Sequence, residues 1–215
     1  MSLLERASGF ERSGFERAMF VFSYDISSPK NARAVRRVLK RWRLDGQLSV
    51  HEAIVTPGQA EALGVELAEQ VDPETDSLIV FRLSRRGHGP VMVLSAPTAP
   101  SFARLPEGVP RFPADGIYVL AYDVRHPKRL RRVQQATRSV GIFVQRSVYV
   151  YQGSGASLAA LVNRLRDLLN MQEDDCRVYV LSGADDLWFF AGSPPPLAGL
   201  GVNEMGKTEL ASVEG

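Results

Sequence analysis

The stretch Phe20-Val-Phe-Ser-Tyr-Asp-Ile-Ser-Ser-Pro-Lys30 returns 98 residues further on as Tyr118-Val-Leu-Ala-Tyr-Asp-Val-Arg-His-Pro-Lys128. Continued without a gap from residue 20 to residue 84, the same offset gives 17 identities in 65 positions, where about 4 are expected by chance at average composition. The identical pairs beyond this stretch include Arg33/Arg131, Gln47/Gln145, Ser49/Ser147, Val50/Val148, Asp76/Asp174, Leu83/Leu181 and Ser84/Ser182. So long an ungapped match predicts two copies of one small domain, copy one over residues 19–95 and copy two over residues 116–193.

Apolar spacing and turn residues predict the elements of each copy. In copy one, residues 19–24 form a short apolar run typical of a buried strand. Ser28 and Pro29 then combine a capping hydroxyl with a proline that suits the first helical turn. The apolar positions that follow at helical spacing predict the buried face of this helix, and they are Val35, Val38, Leu39 and Trp42. Two short strands over 43–56, a helix over 57–71 and a strand over 78–83 complete the unit.

The resulting order, β-α-β-β-α-β, is that of a ferredoxin-like domain, so the chain is predicted to be an α+β protein with two tandem domains of this kind. A further short apolar run closes each copy, at residues 91–94 and at residues 187–190. We interpret each run as an extra C-terminal strand.

Three segments lie outside the two copies. Residues 1–18 contain a tandem Ser-Gly-Phe-Glu-Arg and are expected to be a mobile leader, with a partner-binding arm as the alternative. Residues 96–115 hold five of the thirteen prolines and predict a semi-stiff linker. Residues 194–215 lack apolar periodicity and are expected to form a mobile tail.

Composition limits the class of protein. Apolar residues make up 45% of the chain, which is enough for a sizeable core. The 26 basic and 24 acidic residues leave a formal charge of +2, so a nucleic-acid surface would have to come from clustering. The single cysteine, Cys176, excludes an internal disulfide and a thiolate zinc site made by one chain. With no secretory signal and no apolar run of membrane-spanning length, we expect a cytoplasmic protein with no membrane contact.

Basic residues cluster on the first predicted helix of each copy. Residues 30–43 carry seven basic side chains and no acidic one, and residues 128–138 carry five. A solvated helix face usually mixes charges of both signs, so two helices of one sign favour a phosphate-binding surface over that simpler alternative. The predicted nucleic-acid-binding residues are Lys30, Arg33, Arg36, Arg37, Lys40, Arg41, Lys128, Arg129, Arg131 and Arg132.

An aspartate ends the first predicted strand of each copy, Asp25 in copy one and Asp123 in copy two. Mg²⁺ binds one or two protein carboxylates together with phosphate oxygens, so these two residues are candidate metal ligands and catalytic residues. The alternative is that each carboxylate caps the turn that follows its strand. His126 replaces Ser28 in copy two, and there an exposed loop histidine is favoured over a general acid or a ligand.

Copy one resembles the CRISPR-associated protein two family. The resemblance rests on Met19-Phe-Val-Phe-Ser-Tyr-Asp-Ile-Ser27, the basic helix after Pro29, Gln47-Leu-Ser-Val-His-Glu52 and Asp72-Pro-Glu-Thr-Asp-Ser-Leu-Ile-Val-Phe-Arg-Leu83. Copy two keeps Tyr122-Asp123, Pro127-Lys128 and Gln145-Arg-Ser-Val148, but Tyr149-Val150 replaces the His-Glu pair and Asn170-Met171 replaces Asp-Pro. Copy two alone would therefore be a weaker match.

The resemblance implies a homodimer-like assembly with face-to-face sheets and a fifth strand that crosses to the partner's sheet. Here both halves are on one chain, so we predict an internal pseudo-dimer, with residues 91–94 completing the sheet of copy two and residues 187–190 that of copy one. Further self-association and strand exchange between chains remain open.

The resemblance also implies a function, CRISPR adaptation, in which the protein bridges the integrase subunit and holds protospacer duplex DNA on basic surfaces. A Mg²⁺-dependent endonuclease activity on RNA or DNA, with Asp25 as the metal residue, is a secondary expectation. A toxin-like endoribonuclease related to virulence-associated protein D is the alternative with the same fold.

Overall fold

The computed structural model describes residues 16–43, 45–46, 49–83, 92–94 and 115–192. The predicted tail lies outside these residues, as do most of the predicted leader and linker and the repeat positions Gln47 and Ser84. In the described part of the chain, no helix combines the length and the apolar character needed to cross a membrane.

The elements follow the predicted order in both copies. In copy one they are β1 (Ala18–Asp25), α1 (Pro29–Leu39), β2 (Asp45–Gly46), β3 (Val50–Val55), α2 (Pro57–Ala68), β4 (Ser77–Arg82) and β5 (Met92–Leu94). In copy two they are β6 (Asp115–Asp123), α3 (Pro127–Arg138), β7 (Ile142–Gln145), β8 (Val148–Ser154), α4 (Gly155–Leu168), β9 (Asp175–Leu181) and β10 (Leu187–Ala191). Two tandem ferredoxin-like domains with an extra strand each are thereby confirmed.

The start of α1 is as predicted, but its end is not. The Ser28 hydroxyl accepts a hydrogen bond from the Asn31 backbone N–H at 3.4 Å, and proline occupies the first turn. Val35 and Leu39 are buried, as predicted. The inward prediction for Trp42 is wrong, because the helix ends at Leu39 and the indole is 40% exposed. Beyond the last turn, helical spacing no longer determines which way a side chain points.

Each sheet is completed by a strand from the other copy. The strand order is β10-β4-β1-β3-β2 in the first sheet and β5-β9-β6-β8-β7 in the second, and every paired strand is antiparallel. Leu187 of β10 lies opposite Phe81 of β4, and Leu94 of β5 lies opposite Cys176 of β9. The internal pseudo-dimer and both exchanged strands are therefore confirmed within a single chain.

The exchanged strand β10 is fixed to copy one by more than its backbone pairing. The ring of Phe190 packs directly over Gly64 of α2, where even a Cβ atom would collide with it. Arg82 of β4 also forms a 2.7 Å ion pair with the buried Asp186, just before β10 begins. Gly64 is therefore required for the close approach of β10 to α2 rather than for a special backbone conformation.

Alternation along the strands builds three core layers. Phe20, Phe22 and Tyr24 of β1 pack under the helices of copy one, whereas Val21 of the same strand faces the second sheet. The equivalent residues of β6 divide in the same way between the helices of copy two and the inter-sheet core. The molecule is thus a four-layer sandwich of helices, sheet, sheet and helices, with the two sheets face to face.

A buried charged cluster joins the two copies inside the inter-sheet layer. The guanidinium of Arg177 on β9 donates to the carboxylate of Glu52 on β3 at 2.7 Å, and the Tyr179 hydroxyl donates to the same carboxylate oxygen at 2.8 Å. The side chains of Arg177 and Glu52 are 2% and 4% exposed. Arg177 also donates to the less buried Asp175 at 3.2 Å, so each charge of this cluster has a partner.

The pseudo-symmetric contact on the other side of the interface is apolar. There Val150 takes the position of Glu52, and Ile79 and Phe81 take the positions of Arg177 and Tyr179. A dimer of two copies of the first domain would place Glu52 opposite Ile79. A dimer of two copies of the second domain would place Arg177 opposite Val150. A buried charge without a partner is strongly unfavourable, so the two copies are specific for each other.

Replacing Arg177 by isoleucine, the residue of copy one, is expected to lower the free energy of unfolding by roughly 3–5 kcal/mol, because it leaves the buried Glu52 carboxylate without its cation. The double variant Glu52→Val/Arg177→Ile should recover most of this loss. Urea unfolding followed by circular dichroism measures both, with Arg164→Ile on the exposed face of α4 as the control. A double variant less stable than Arg177→Ile alone would contradict this account.

Candidate functional site

The two strand-end aspartates occupy equivalent positions at the inter-sheet layer. Asp25 is the last residue of β1 and lies opposite Ser77 of β4, and Asp123 is the last residue of β6 and lies opposite Asp175 of β9. Because side chains alternate along a strand, this register puts both aspartates on the side that faces the other sheet. Both are partly buried.

Copy two contributes a polar contact beside Asp25. The Gln145 side chain, from the end of β7, accepts a hydrogen bond from the Ser77 hydroxyl at 2.9 Å and donates another to the Ser23 hydroxyl. Gln145 is one of the repeated identities, and its role is to link the two sheets at the end where β1 stops. The environment of Asp25 is thus polar and built by both copies.

Asp123 lies in a more acidic environment than Asp25. Burial raises the pKa of Asp123, and the neighbouring carboxylates of Asp175 and Asp174 raise it further, while Arg125 opposes them. Asp175 is itself hydrogen-bonded to Arg177. The two strand ends therefore differ, because serine in copy one replaces the second carboxylate of copy two.

The turns that follow β1 and β6 are not capped by the strand-end aspartates. The backbone N–H and hydroxyl of Ser27 donate to Asp76 at 2.9 and 2.8 Å, and the Asp72 N–H donates to the other Asp76 oxygen at 3.1 Å. Asp174 forms the equivalent backbone bonds in copy two. The capping alternative for Asp25 is therefore wrong, and its carboxylate accepts no hydrogen bond from the described residues.

This capping role of Asp76 and Asp174 was missed at the sequence level, although the two residues are an identical repeat pair. Each carboxylate holds the turn after the first strand against the turn before the last strand. Burial raises the pKa of both groups, but their hydrogen bonds outweigh it and hold each pKa below the ordinary value. The signal in the sequence was the identity itself, at a position where no apolar requirement explains it.

His126 caps a helix instead of joining the aspartates. Its Nδ1 accepts a hydrogen bond from the Lys128 N–H at 3.2 Å, and the residue is exposed, which confirms the simpler prediction. Among the described residues there is no group of three or more His, Cys, Asp or Glu arranged to hold a metal ion. The hard oxygen atoms of Asp25 and Asp123 fit Mg²⁺ only as one or two carboxylate ligands, with other oxygens completing its shell.

The basic helices lie on opposite outer layers of the sandwich, α1 over the first sheet and α3 over the second. Most of the predicted phosphate-binding side chains are exposed there: Lys30, Arg33, Arg37, Lys40, Arg41, Lys128, Arg131 and Arg132. Arg36 and Arg129 are partly buried. The structure thus forms two separate basic surfaces rather than one continuous track.

Among the described residues, two members of this set, Arg129 and Arg41, form ion pairs with carboxylates. Arg129 forms ion pairs with Asp174 at 2.7 Å and with Glu173 at 2.6 Å, so it secures the turn before β9. Arg41 forms an exposed 3.0 Å ion pair with Glu66, a contact that contributes little to stability and is easily exchanged. Of the predicted set, Arg129 is the residue least available to a nucleic acid.

These observations define the class of protein. It is a single-chain pseudo-dimer of ferredoxin-like units, with basic outer helices and with strand-end carboxylates between its sheets. The model of the family described as CRISPR associated protein Cas2 matches this chain twice, over residues 18–89 and residues 117–187. The chain belongs to that family, and both copies are members.

Individual relatives match parts of the chain. A protein named CRISPR-associated endoribonuclease Cas2 from Allochromatium vinosum is 47% identical over 57 residues, which are 26% of this chain and 61% of the relative. CRISPR-associated endoribonuclease Cas2 2 from Nitrosomonas europaea is 34% identical over 70 residues, 33% of this chain and 62% of the relative. The chain thus spans about six tenths of the length of these curated relatives.

Among solved structures, similarity is found to a hypothetical protein TT1823 from Thermus thermophilus, with a TM-score of 0.31 and 30% identity over 32% of this chain and 84% of that one. Cas2 from Streptococcus pyogenes at pH 6.5 has a TM-score of 0.30 and 30% identity, covering 31% of this chain and 86% of that one.

Acid is expected to destabilise the fold through Asp76 and Asp174. A pKa held low in the folded state means that the unfolded chain binds the proton more tightly, so stability is lost as pH falls from the ordinary aspartate range toward the folded value. The variant Asp76→Asn/Asp174→Asn should be less stable at neutral pH and should lose less stability between pH 7 and pH 3. Urea unfolding at several pH values tests this, and a slope unchanged from wild type would contradict it.

Proposed function

We propose that this chain is a CRISPR adaptation subunit, a pre-assembled bridge that holds protospacer duplex DNA on its basic helices and contacts the integrase subunit. Membership of the Cas2 family supports the adaptation role. The bridging and DNA-holding roles are carried over from the family resemblance, and they fit a cytoplasmic protein.

The observation that carries this proposal is the presentation of α1 and α3 on opposite faces of one covalent unit. Cations on these helices can bind backbone phosphates without reading sequence, which suits a protein that must accept many DNA sequences. Because both halves belong to one chain and bury a specific interface, the spacing between the two basic surfaces is fixed without a dimerisation step. A protein that bridges DNA and the integrase requires a constant spacing between these surfaces.

A metal-dependent nuclease is the second candidate. It is supported by the two strand-end carboxylates, of which Asp25 accepts no hydrogen bond from the described residues, and by relatives that are named endoribonucleases. Bound Mg²⁺ would polarise a phosphodiester and lower the pKa of a coordinated water. Asp25 and Asp123 would hold the ion, while the basic helices would position the strand.

The first test is spacer acquisition in cells that carry the cognate array and integrase, comparing wild type, a deletion and the variant Asp25→Asn/Asp123→Asn. We expect the deletion to abolish acquisition and the double variant to retain it, since a bridge needs no catalytic carboxylates. Loss in a double variant that is folded and partner-bound would favour the nuclease. Normal acquisition in the deletion strain would contradict the proposal and favour the toxin-like endoribonuclease.

Binding of a protospacer-length duplex should fall by orders of magnitude between roughly 50 and 200 mM salt, because the contacts are to phosphates. Replacing Arg33 and Arg37 by glutamine should weaken binding and reduce the salt slope. Arg164→Gln/Arg166→Gln on α4 removes the same charge from a surface outside the predicted set and should have a small effect. Fluorescence anisotropy measures both, and an affinity independent of salt would contradict a phosphate-binding surface.

A further inference from the structure

A basic pocket lies beside the C-terminal end of α1 and has a volume of about 460 Å³. Its lining consists of Arg36, Lys40 and Arg43 from the helix and the residues just after it, and His51 from β3. His51 is held by the Tyr24 hydroxyl, 3.2 Å from its Nε2, and the two rings are stacked. The floor of the pocket is therefore rigid, and its rim carries three positive charges.

The Arg36 guanidinium is hydrogen-bonded to the Tyr24 hydroxyl, a neutral partner that leaves the positive charge of the pocket uncompensated. Within the described ranges, no ion pair joins Arg36, Lys40 or Arg43 to a carboxylate. Burial raises the pKa of Tyr24 to about 12, while the positive charges of Arg36 and Arg43 oppose that shift. Both guanidinium groups line the same pocket, so a small anion bound there would relieve their mutual repulsion.

Copy two does not reproduce this pocket. Gln134, Gly141 and Tyr149 replace Arg36, Arg43 and His51 in the repeat. The cavity at the equivalent helix, about 510 Å³, is lined by two arginines together with polar neutral residues: Arg131, Gln134, Gln135, Arg138 and Ser139.

The remaining cation at the Lys40 position of copy two is already engaged. The Arg138 guanidinium donates to the Tyr149 hydroxyl at 3.3 Å and lies 6.0 Å from the centre of the Phe143 ring. The two ends of the pseudo-dimer therefore differ in the number of cations that line the pocket, three in copy one and two in copy two.

Each copy presents an exposed aromatic ring after its basic helix, Trp42 in copy one and Phe143, 48% exposed, in copy two, where the Arg138 guanidinium already lies over the ring. Trp42 is the chain neighbour of Arg43 and is 40% exposed, whereas its counterpart in copy two is Val140. Exposed aromatic rings next to cations are the usual platform on which unpaired bases stack. A duplex offers its phosphates but not its base faces, so such a platform serves a single strand.

We propose that the pocket formed by Arg36, Lys40, Arg43 and His51 binds a backbone phosphate of a single-stranded nucleic acid, that Trp42 stacks on an adjoining base, and that copy two has no equivalent site. The inference rests on the proposed function in that the ligand is a nucleic acid. It adds that the bound strand is single and that only copy one binds it. The pseudo-dimer then holds an unpaired segment at one end only.

Anisotropy titrations of the full chain with a short labelled oligothymidylate and, separately, with a blunt duplex test this proposal. Arg36→Gln/Arg43→Gln should weaken oligothymidylate binding about tenfold or more and lower its salt slope, with a smaller effect on the duplex. The charge-matched control Arg164→Gln/Arg166→Gln should change oligothymidylate binding by less than about twofold. Inorganic phosphate at the same phosphate concentration should compete poorly.

A pair of single variants at equivalent positions of the two copies tests the asymmetry between them. Lys40→Gln should weaken oligothymidylate binding more than its counterpart Arg138→Gln, and equal losses would overturn the one-ended site while leaving the duplex-binding proposal standing. Failure of wild type to bind either probe would instead overturn the proposed function. Equal competition by inorganic phosphate would reduce the pocket to a simple anion site and contradict a strand site.

Fluorescence supplies a readout that does not depend on the pocket variants folding well. The chain has two tryptophans, and Trp188→Phe keeps an aromatic ring next to Phe20 while leaving Trp42 as the single indole. Saturating oligothymidylate should quench Trp42 in this background, and Trp42→Ala in the wild-type chain should weaken binding about fivefold or more. An unchanged spectrum at saturation would contradict stacking.

Discussion

The carboxylate of Glu52, buried between the two sheets, accepts hydrogen bonds from Arg177 and Tyr179 of the other copy. Charges removed from water are costly unless each finds its partner at hydrogen-bond distance, so this cluster permits one register of the two sheets and disfavours its neighbours. The face-to-face arrangement, the pairing of the exchanged strands and the position of the strand-end aspartates all depend on that register.

The interface also explains what the fusion of two copies allows. In a homodimer every contact across the two-fold axis occurs twice, so a glutamate introduced at the interface needs a cationic partner at both places. On one chain the two positions are free to diverge, and here glutamate and arginine occupy complementary places, with valine and isoleucine at the mirror positions. The same freedom allows the two outer surfaces to differ, since the pocket beside α1 is lined by three cations and the pocket beside α3 by two.

Much of the fold could be predicted from the sequence because it depends on patterns of residues that are close together in the chain. The helix start at Ser28-Pro29, its repeat at Pro127-Lys128 and the short apolar strands are short-range patterns. The duplication is visible as an ungapped match, and the exchange of the last strands followed from the family resemblance. The strand-end aspartates were located correctly on their strands, although their catalytic role stays a prediction.

What the sequence could not provide depends on contacts between distant residues. The partner of Glu52 lies 125 residues away, and no periodicity connects the two. Asp76 was visible only as an identity, because its hydrogen bonds go to a turn 49 residues earlier. The spacing of Trp42 in the sequence continues the apolar face of the helix, but the helix ends before it. The ring is therefore exposed at the surface instead of packed in the core.

The exchange of β5 and β10 has a consequence for synthesis on the ribosome. The edge of β4 that β10 will cover is complete once Arg82 has been made, yet its partner strand ends at Ala191. The roughly 110 residues between them take on the order of 5–20 s to translate. For that interval the nascent copy one presents an unpaired strand edge, the kind of surface on which neighbouring chains associate. Protection of copy one from aggregation therefore depends on prompt synthesis of copy two.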